Sequence, residues 1–204
     1  MRYVHRYVPA PGGQLEPRTL LLLHGTGGNE LDLLPLGPML DPYAALLSPR
    51  GDVLENGMPR FFRRIREGVF DEEDVKLRAR ALSEFVAEAR AEYGLGQVTA
   101  AGFSNGANIA SAVMLLHPAT LAGGVLLAPM VPIEPDPLPD LTGTPVFLGA
   151  GRSDPLVSVT EAERLAALLT RAGADVTLHW HPGGHSIDRG VVTAAHDWLA
   201  ARVG

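Results

Sequence analysis

Hydrophobic residues occur along the chain as short uninterrupted runs, and longer stretches of helical periodicity separate them. Runs of this kind are typical of strands that are covered on both faces. They predict strands over residues 19–24, 44–48, 98–103, 123–127, 146–149 and 176–181. Weak alternation predicts a further edge strand over Arg2–Val8. Helical spacing, with capping residues at several ends, predicts helices over residues 71–93, 105–117, 160–172 and 187–202.

Strands that alternate with helices predict βαβ units, and therefore an α/β fold with a mostly parallel central sheet and helices on both faces. A length of 204 residues predicts a single domain over residues 1–204. Ligands of such sheets bind beyond the carboxyl ends of the strands. The loops that follow the strands are therefore the place to look for chemistry.

A candidate nucleophile follows the strand predicted over residues 98–103. The sequence there is Gly102-Phe103-Ser104-Asn105-Gly106, a G-x-S-x-G pattern between a strand and a helix. That setting is typical of a nucleophile elbow, a tight turn that exposes a serine hydroxyl at the start of a helix. The alternative is a serine that only caps the helix.

A serine hydroxyl needs a positioned base, and the base needs a carboxylate to fix its tautomer. His185 lies in a glycine-containing loop beyond the last predicted strand, and Asp154 follows the strand over residues 146–149. The chain order Ser104, Asp154, His185 is that of α/β-hydrolases. The alternatives are a surface-loop histidine and an aspartate that forms a turn before Pro155.

An oxyanion intermediate needs main-chain donors. We expect one from the N–H of Asn105, directly after the serine. The other is expected from Thr26 in the loop HGTGG that follows the first buried strand. The competing interpretation is a phosphate cradle, but the loop matches neither of the usual glycine-rich phosphate motifs.

Four segments together resemble the phospholipase/carboxylesterase family of α/β-hydrolases. They are residues 23–30 (LHGTGGNE), 102–108 (GFSNGAN), 149–157 (GAGRSDPLV) and 183–185 (GGH). The resemblance covers nearly the whole chain, and residues 56–71 are similar to a subgroup of bacterial serine esterases, some linked to hydroquinone resistance. It implies a nucleophile at Ser104, partners at Asp154 and His185, and an oxyanion hole at the Thr26 and Asn105 amides. Acyl-protein thioesterases of this family usually have Leu and Gln at these last two positions, which weakens transfer of their substrate to this chain.

Composition excludes several kinds of site and argues against some partners. The absence of Cys excludes a disulfide scaffold, a Cys-ligated metal site and a thiol nucleophile such as that of dienelactone hydrolases. A net charge of −6 argues against nucleic acid as a partner. No run approaches the roughly 20 apolar residues of a membrane span, and the first residues do not resemble a secretion signal. We therefore expect a cytoplasmic protein.

No insertion is long enough for a helical cap domain, so two long connections are expected to shape the pocket. The connection 50–70 contains Phe61, Phe62 and Phe70, which either line an acyl or aryl pocket or pack the loop onto the body. A proline-rich connection over residues 128–146 should form another wall, and Leu156 and Val157 should lie at the rim. The arginines at positions 63 and 64 are expected in solvent or in ion pairs, with an anchor for an anionic substrate as the alternative.

The sequence therefore predicts a serine esterase that cleaves small esters of short to medium acyl length through an acyl-enzyme, without metal or cofactor. A small-molecule ester is the expected partner, and a homodimer is left open. Thioester, lysophospholipid or lactone hydrolysis on the same residues is the alternative. Two further alternatives are a catalytically silent binding module and a metal hydrolase that uses His179, His181 and His185.

Overall fold

The computed structural model describes residues 3–13 and 15–202 of the chain, so Arg2 in the predicted first strand lies outside the described residues. The described strands are β1 (His5–Val8), β2 (Thr19–Leu23), β3 (Ala45–Pro49), β4 (Val53–Glu55), β5 (Met58–Arg60), β6 (Arg64–Arg66), β7 (Val69–Phe70), β8 (Val98–Phe103), β9 (Gly123–Leu127), β10 (Pro145–Gly151) and β11 (Asp175–His181). The described α-helices are α1 (Gly37–Leu40), α2 (Glu72–Tyr93), α3 (Asn105–Leu116), α4 (Val159–Arg171) and α5 (Arg189–Ala200).

Seven strands form one central sheet in the order β1-β3-β2-β8-β9-β10-β11. Only β1, at the edge, runs antiparallel to its neighbour in this sheet, and the other pairs are parallel. The prediction of a mostly parallel sheet is confirmed. The carboxyl ends of β2, β8, β10 and β11 therefore meet at one edge of the sheet, where the predicted site residues follow them.

Both faces of the sheet are covered, which explains why its inner strands β2, β9 and β10 are almost entirely buried and mostly apolar. Leu21 and Leu23 of β2 belong to a core that includes residues of α2, α3 and α4. Leu20 and Leu22, which point the other way, belong to a second core with residues of α1 and α5. Because successive side chains of a strand face opposite sides, each side of β2 buries its own set.

The helix ends follow capping chemistry. The Asp71 side chain accepts a hydrogen bond from the Asp74 N–H at the start of α2, and Gly94 ends that helix with φ of 63°.

α2 has 22 residues, but neither it nor any other helix in the described ranges is long and apolar enough to cross a membrane.

The connection between β3 and α2 contains two small hairpins that the hydrophobic pattern does not predict. β4 pairs with β5 around Asn56-Gly57, whose φ angles are 52° and 80°, and β6 pairs with β7. Asn-Gly is a strong signal for a two-residue hairpin turn. The signal is easily missed here because strands of two or three residues are too short to show a period.

Candidate active site

Ser104 occupies a sharp turn between β8 and α3, with φ of 53° and ψ of −115°. The flanking glycines make this turn sterically feasible. A Cβ at Gly102 would lie 2.7 Å from the Ala107 nitrogen, and a Cβ at Gly106 would lie 1.9 Å from the Leu23 carbonyl oxygen. The helix thus approaches the end of β2 more closely than any side chain would allow.

The Ser104 hydroxyl does not cap the helix that follows it. Its side chain makes no capping hydrogen bond, and its Oγ instead lies 2.9 Å from Nε2 of His185. The main chain of Ser104 is fixed by its N–H, which donates to the Leu127 carbonyl across to β9 at 2.8 Å. The elbow therefore presents the hydroxyl to a histidine from a distant part of the chain.

His185 is held from its other side by Asp154. Nδ1 of His185 lies 2.8 Å from Oδ2 of Asp154, whose side chain is only 1% exposed. The other carboxylate oxygen accepts the main-chain N–H groups of Leu156 and Val157 at 2.8 and 2.9 Å. An ionised carboxylate only accepts hydrogen bonds, so Nδ1 carries the proton and Nε2 is free to accept one from Ser104.

The loops that carry these two residues are joined to each other. The Ser153 N–H donates to the Gly183 carbonyl at 3.1 Å, and a Cβ at Gly151 would lie 2.5 Å from that same oxygen. The end of β10 and the loop after β11 therefore meet backbone to backbone. This contact fixes the spacing of Asp154 and His185 without help from their side chains.

The two residues predicted to supply the oxyanion donors, Thr26 and Asn105, line the same cavity as Ser104. Among the hydrogen bonds of the described residues, none is donated by the main-chain N–H of either residue. Two main-chain donors without a protein acceptor, from residues that line the same cavity as a serine hydroxyl, are compatible with an oxyanion hole.

The cavity beside Ser104 has a volume of about 280 Å³. Its apolar lining consists of Phe70, Phe103, Ala128, Met130, Leu156 and Val157. Phe70 also lines a second cavity of about 230 Å³, bounded on the other side by residues of the proline-rich connection. Leu156 and Val157, which the sequence predicts at the rim, are part of this lining.

Phe61 and Phe62 occupy a different place from the expected pocket wall. Both side chains are fully buried in the core and neither belongs to the lining of the cavity. Phe61 packs against the His24 ring at 4.8 Å between centroids, and Phe62 meets Phe70 edge to face at 5.1 Å. Burial of two large rings is more favourable than their exposure in an open groove, so they anchor the connection while Phe70 provides the aromatic wall.

Arg60 is a buried cation in the cavity lining that the sequence analysis does not single out. It is 3% exposed and donates to Glu55, to the Thr26 hydroxyl and to the Phe62 carbonyl at 2.9 to 3.2 Å. Burial, together with the charge of Arg64, lowers the pKa of Arg60. The Asn-Gly turn of its hairpin is the sequence signal that could have placed Arg60 on a strand next to the HGTGG loop.

His24 supports the loop that carries Thr26. Its Nδ1 donates to the Gly25 carbonyl at 2.7 Å, and its Nε2 accepts the Gly51 N–H at 2.9 Å. Burial lowers the pKa of His24 below its usual 6.5. The neutral imidazole therefore links this loop to the start of the connection between β3 and α2.

The histidines of β11 belong to the sheet. His179 stacks on Phe147 at 5.7 Å between ring centroids, and the side chain of His181 is buried. In residues 3–13 and 15–202, no group of three His, Asp or Glu side chains has an arrangement that could hold a metal ion. The metal-hydrolase alternative thus has no ligand cluster to support it in this part of the chain.

A hydroxyl that donates to an imidazole, which in turn donates to a buried carboxylate, is suited to nucleophilic attack on a carbonyl carbon. The imidazole can take the hydroxyl proton as the bond forms. The carboxylate stabilises the resulting imidazolium.

Comparisons with known proteins agree with this fold. The family model described as Phospholipase/Carboxylesterase matches residues 8–203. The chain is 50% identical over 181 residues to a protein of Bacillus subtilis (strain 168) described as putative hydrolase MhqD. The matched region covers 88% of this chain and 90% of that protein. Fold and family model together define an α/β-hydrolase.

Solved structures are similar as well. A carboxylesterase of Bacillus cereus superposes with a TM-score of 0.92 at 47% identity, over 96% of this chain and 92% of that one. A carboxylesterase from Mesorhizobium loti gives a TM-score of 0.84 at 34% identity, over 90% and 88% of the two chains. The chain belongs to the phospholipase/carboxylesterase family, and it is a carboxylic ester hydrolase.

Proposed function

We propose that the chain is a serine esterase that works through an acyl-enzyme on Ser104. The observation that carries the proposal is the hydrogen-bonded series Ser104, His185, Asp154, with distances of 2.9 and 2.8 Å, at the wall of an apolar cavity. No one of these residues would suffice, because a serine hydroxyl is a weak nucleophile without a positioned base.

In the first half of the reaction, Ser104 Oγ attacks the ester carbonyl carbon while Nε2 of His185 takes the hydroxyl proton. The carbonyl oxygen becomes an oxyanion that accepts hydrogen bonds from the N–H groups of Thr26 and Asn105. The tetrahedral intermediate then expels the alcohol, which receives the proton from His185. The acyl group remains on Ser104.

In the second half, water attacks the acyl carbonyl and gives a proton to His185. Collapse of the second tetrahedral intermediate releases the acid and returns the proton to Ser104 Oγ. Asp154 accepts from Nδ1 throughout, which keeps the ring oriented and stabilises its cationic form in both halves.

The cavity supports a preference for short to medium acyl groups. Its volume of about 280 Å³ is slightly below the usual size of ligand pockets, about 300–1,000 Å³. A buried CH₂ contributes about 0.8 kcal/mol, and only while cavity wall remains to contact, so esters with roughly two to eight acyl carbons should be cleaved best. Phe70 closes one side of this space.

The test combines labelling with a substrate series. Ser104→Ala should lose both hydrolysis of p-nitrophenyl esters and covalent labelling by a fluorophosphonate, whereas the exposed neighbour Ser153→Ala should keep both. kcat/KM should reach its maximum within the series from acetate to palmitate and then fall. Retained activity in Ser104→Ala would refute the assignment of Ser104 as the nucleophile. A higher kcat/KM on acyl-CoA or lysophospholipid than on any simple ester would identify a thioester or a lysophospholipid as the preferred substrate class.

A further inference from the structure

The segment Pro59–Phe61 bridges the two halves of the oxyanion hole. The carbonyl of its proline accepts the Gly27 N–H at 2.9 Å, directly after Thr26. The side chain of Arg60 donates from Nη1 to the Thr26 hydroxyl at 2.9 Å. The main-chain N–H of its phenylalanine donates to Oδ1 of Asn105 at 2.8 Å. One short segment therefore contacts both residues that are predicted to supply the oxyanion donors.

Arg60 makes this bridge from a buried position. Its side chain is 3% exposed, and its carboxylate partner Glu55 is shared with Arg64. Removal of a guanidinium from water is costly and is recovered only through well-made hydrogen bonds. The guanidinium lines the cavity that Ser104 also lines, and one of the hydrogen bonds that hold it there is donated to the Thr26 hydroxyl.

The far side of the segment is rigidly supported. A Cβ at Gly51 would lie 2.4 Å from the Arg60 carbonyl carbon and oxygen, so the two backbones are in direct contact. The Gly51 N–H donates to His24, whose ring packs on Phe61. The segment cannot retreat from the oxyanion loop, and the hydrogen bond from Arg60 holds that loop from the cavity side.

We propose that Arg60 is a positioning residue, which holds the Thr26 N–H at the separation from the Asn105 N–H that an oxyanion requires. The inference rests on the proposed function. Oxyanion donors must lie about 2.7–3.1 Å from the charge that develops, and a misplacement of about 1 Å can reduce the rate roughly 100-fold. Arg60 acts through the hydrogen bond that it donates to the Thr26 hydroxyl.

The experiment compares three variants by kcat, KM and the inhibition constant of a trifluoromethyl ketone, a transition-state analogue. Arg60→Met should lower kcat about 10- to 100-fold, with KM changed less than about threefold. Thr26→Val, which keeps the main-chain N–H and removes the acceptor, should do the same. The analogue should lose affinity by the factor lost in kcat/KM. Arg63→Met, whose ion pairs run to Asp71 and Asp74, is the matched control and should match wild type.

The double variant Arg60→Met/Thr26→Val should be no slower than the slower single variant, because both changes remove the same contact. Unchanged kcat in Thr26→Val would overturn the inference, as would multiplied losses in the double variant or an unchanged affinity for the analogue. Thr26→Val retains the buried arginine and thus remains informative if Arg60→Met does not fold. Absence of fluorophosphonate on wild-type Ser104 would refute the proposed function instead.

Discussion

Replacement of Asp154 by Asn tests the proposed roles of the carboxylate and the imidazole with a change of one atom. Oδ1 of Asp154 accepts the N–H groups of both Leu156 and Val157. An Asn at this position must keep its carbonyl oxygen there, because the opposite orientation would set its NH₂ against two N–H donors. Its NH₂ therefore points to Nδ1 of His185.

The expected loss of activity follows from that orientation. Nδ1 must now accept a hydrogen bond, so the proton of the neutral ring moves to Nε2, which then donates to Ser104 rather than accepting from it. The hydrogen-bonded series remains intact but has no base. A wrong tautomer of this kind costs about 10⁴-fold in kcat, equivalent to about 5.5 kcal/mol of activation free energy. Stability should change little, because both N–H donors of the loop keep an acceptor.

The assay is the kinetics of p-nitrophenyl acetate hydrolysis, with thermal unfolding of the same preparations. Asp188→Asn is the matched control: this exposed aspartate caps α5 by accepting the Gly190 N–H, which Asn does equally well. It should keep wild-type kcat. An Asp154→Asn variant that keeps more than about a tenth of wild-type kcat would refute the tautomer argument, provided that its melting temperature is also unchanged.

Three other variants test the wall, the support and the elbow of the site. Phe70→Ala should join the two cavities that Phe70 lines. For acyl chains longer than the wild-type optimum, kcat/KM should then rise by up to about fourfold with each added CH₂. An unchanged profile would show that Phe70 does not limit the acyl length. Burial lowers the pKa of His24. The contribution of neutral His24 to the unfolding free energy is therefore fully present above about pH 6.5 and is lost as the pH falls below that value. His24→Gln, which can still accept the Gly51 N–H, should show a smaller fall in melting temperature between about pH 7.5 and 5.5, and an equal fall would contradict the assignment. Gly106→Ala places a Cβ 1.9 Å from the Leu23 carbonyl oxygen and should lower the unfolding free energy in urea by about 3 kcal/mol or more; wild-type stability would mean that the close approach is not required.

The fold could be predicted because the inner strands are mostly apolar on both faces, as the four leucines of β2 illustrate. The same runs place Ser104, Asp154 and His185 after the carboxyl ends of β8, β10 and β11, and the structure brings these three side chains within hydrogen-bonding distance. Their roles in the reaction stay predictions.

The connection between β3 and α2 resisted sequence analysis. Phe61 and Phe62 are adjacent aromatic residues in a loop, and no periodicity reveals whether they face a cavity or the core. Arg60 carries even less signal, since most arginines are exposed and its burial depends on partners at distant positions, above all Thr26. Long-range hydrogen bonds of this kind become visible only in three dimensions.

The separation of Ser104 and His185 along the chain has a consequence for synthesis. The two residues lie 81 positions apart, and β10 must form between them before β11 can pair and the last loop can close. At about 5–20 residues per second, a ribosome needs about 4–16 s to pass from one to the other. During this interval the nascent chain contains Ser104 but not His185, its proposed general base. On the proposed mechanism, ester hydrolysis should therefore begin only after β11 has paired and the loop that carries His185 has closed.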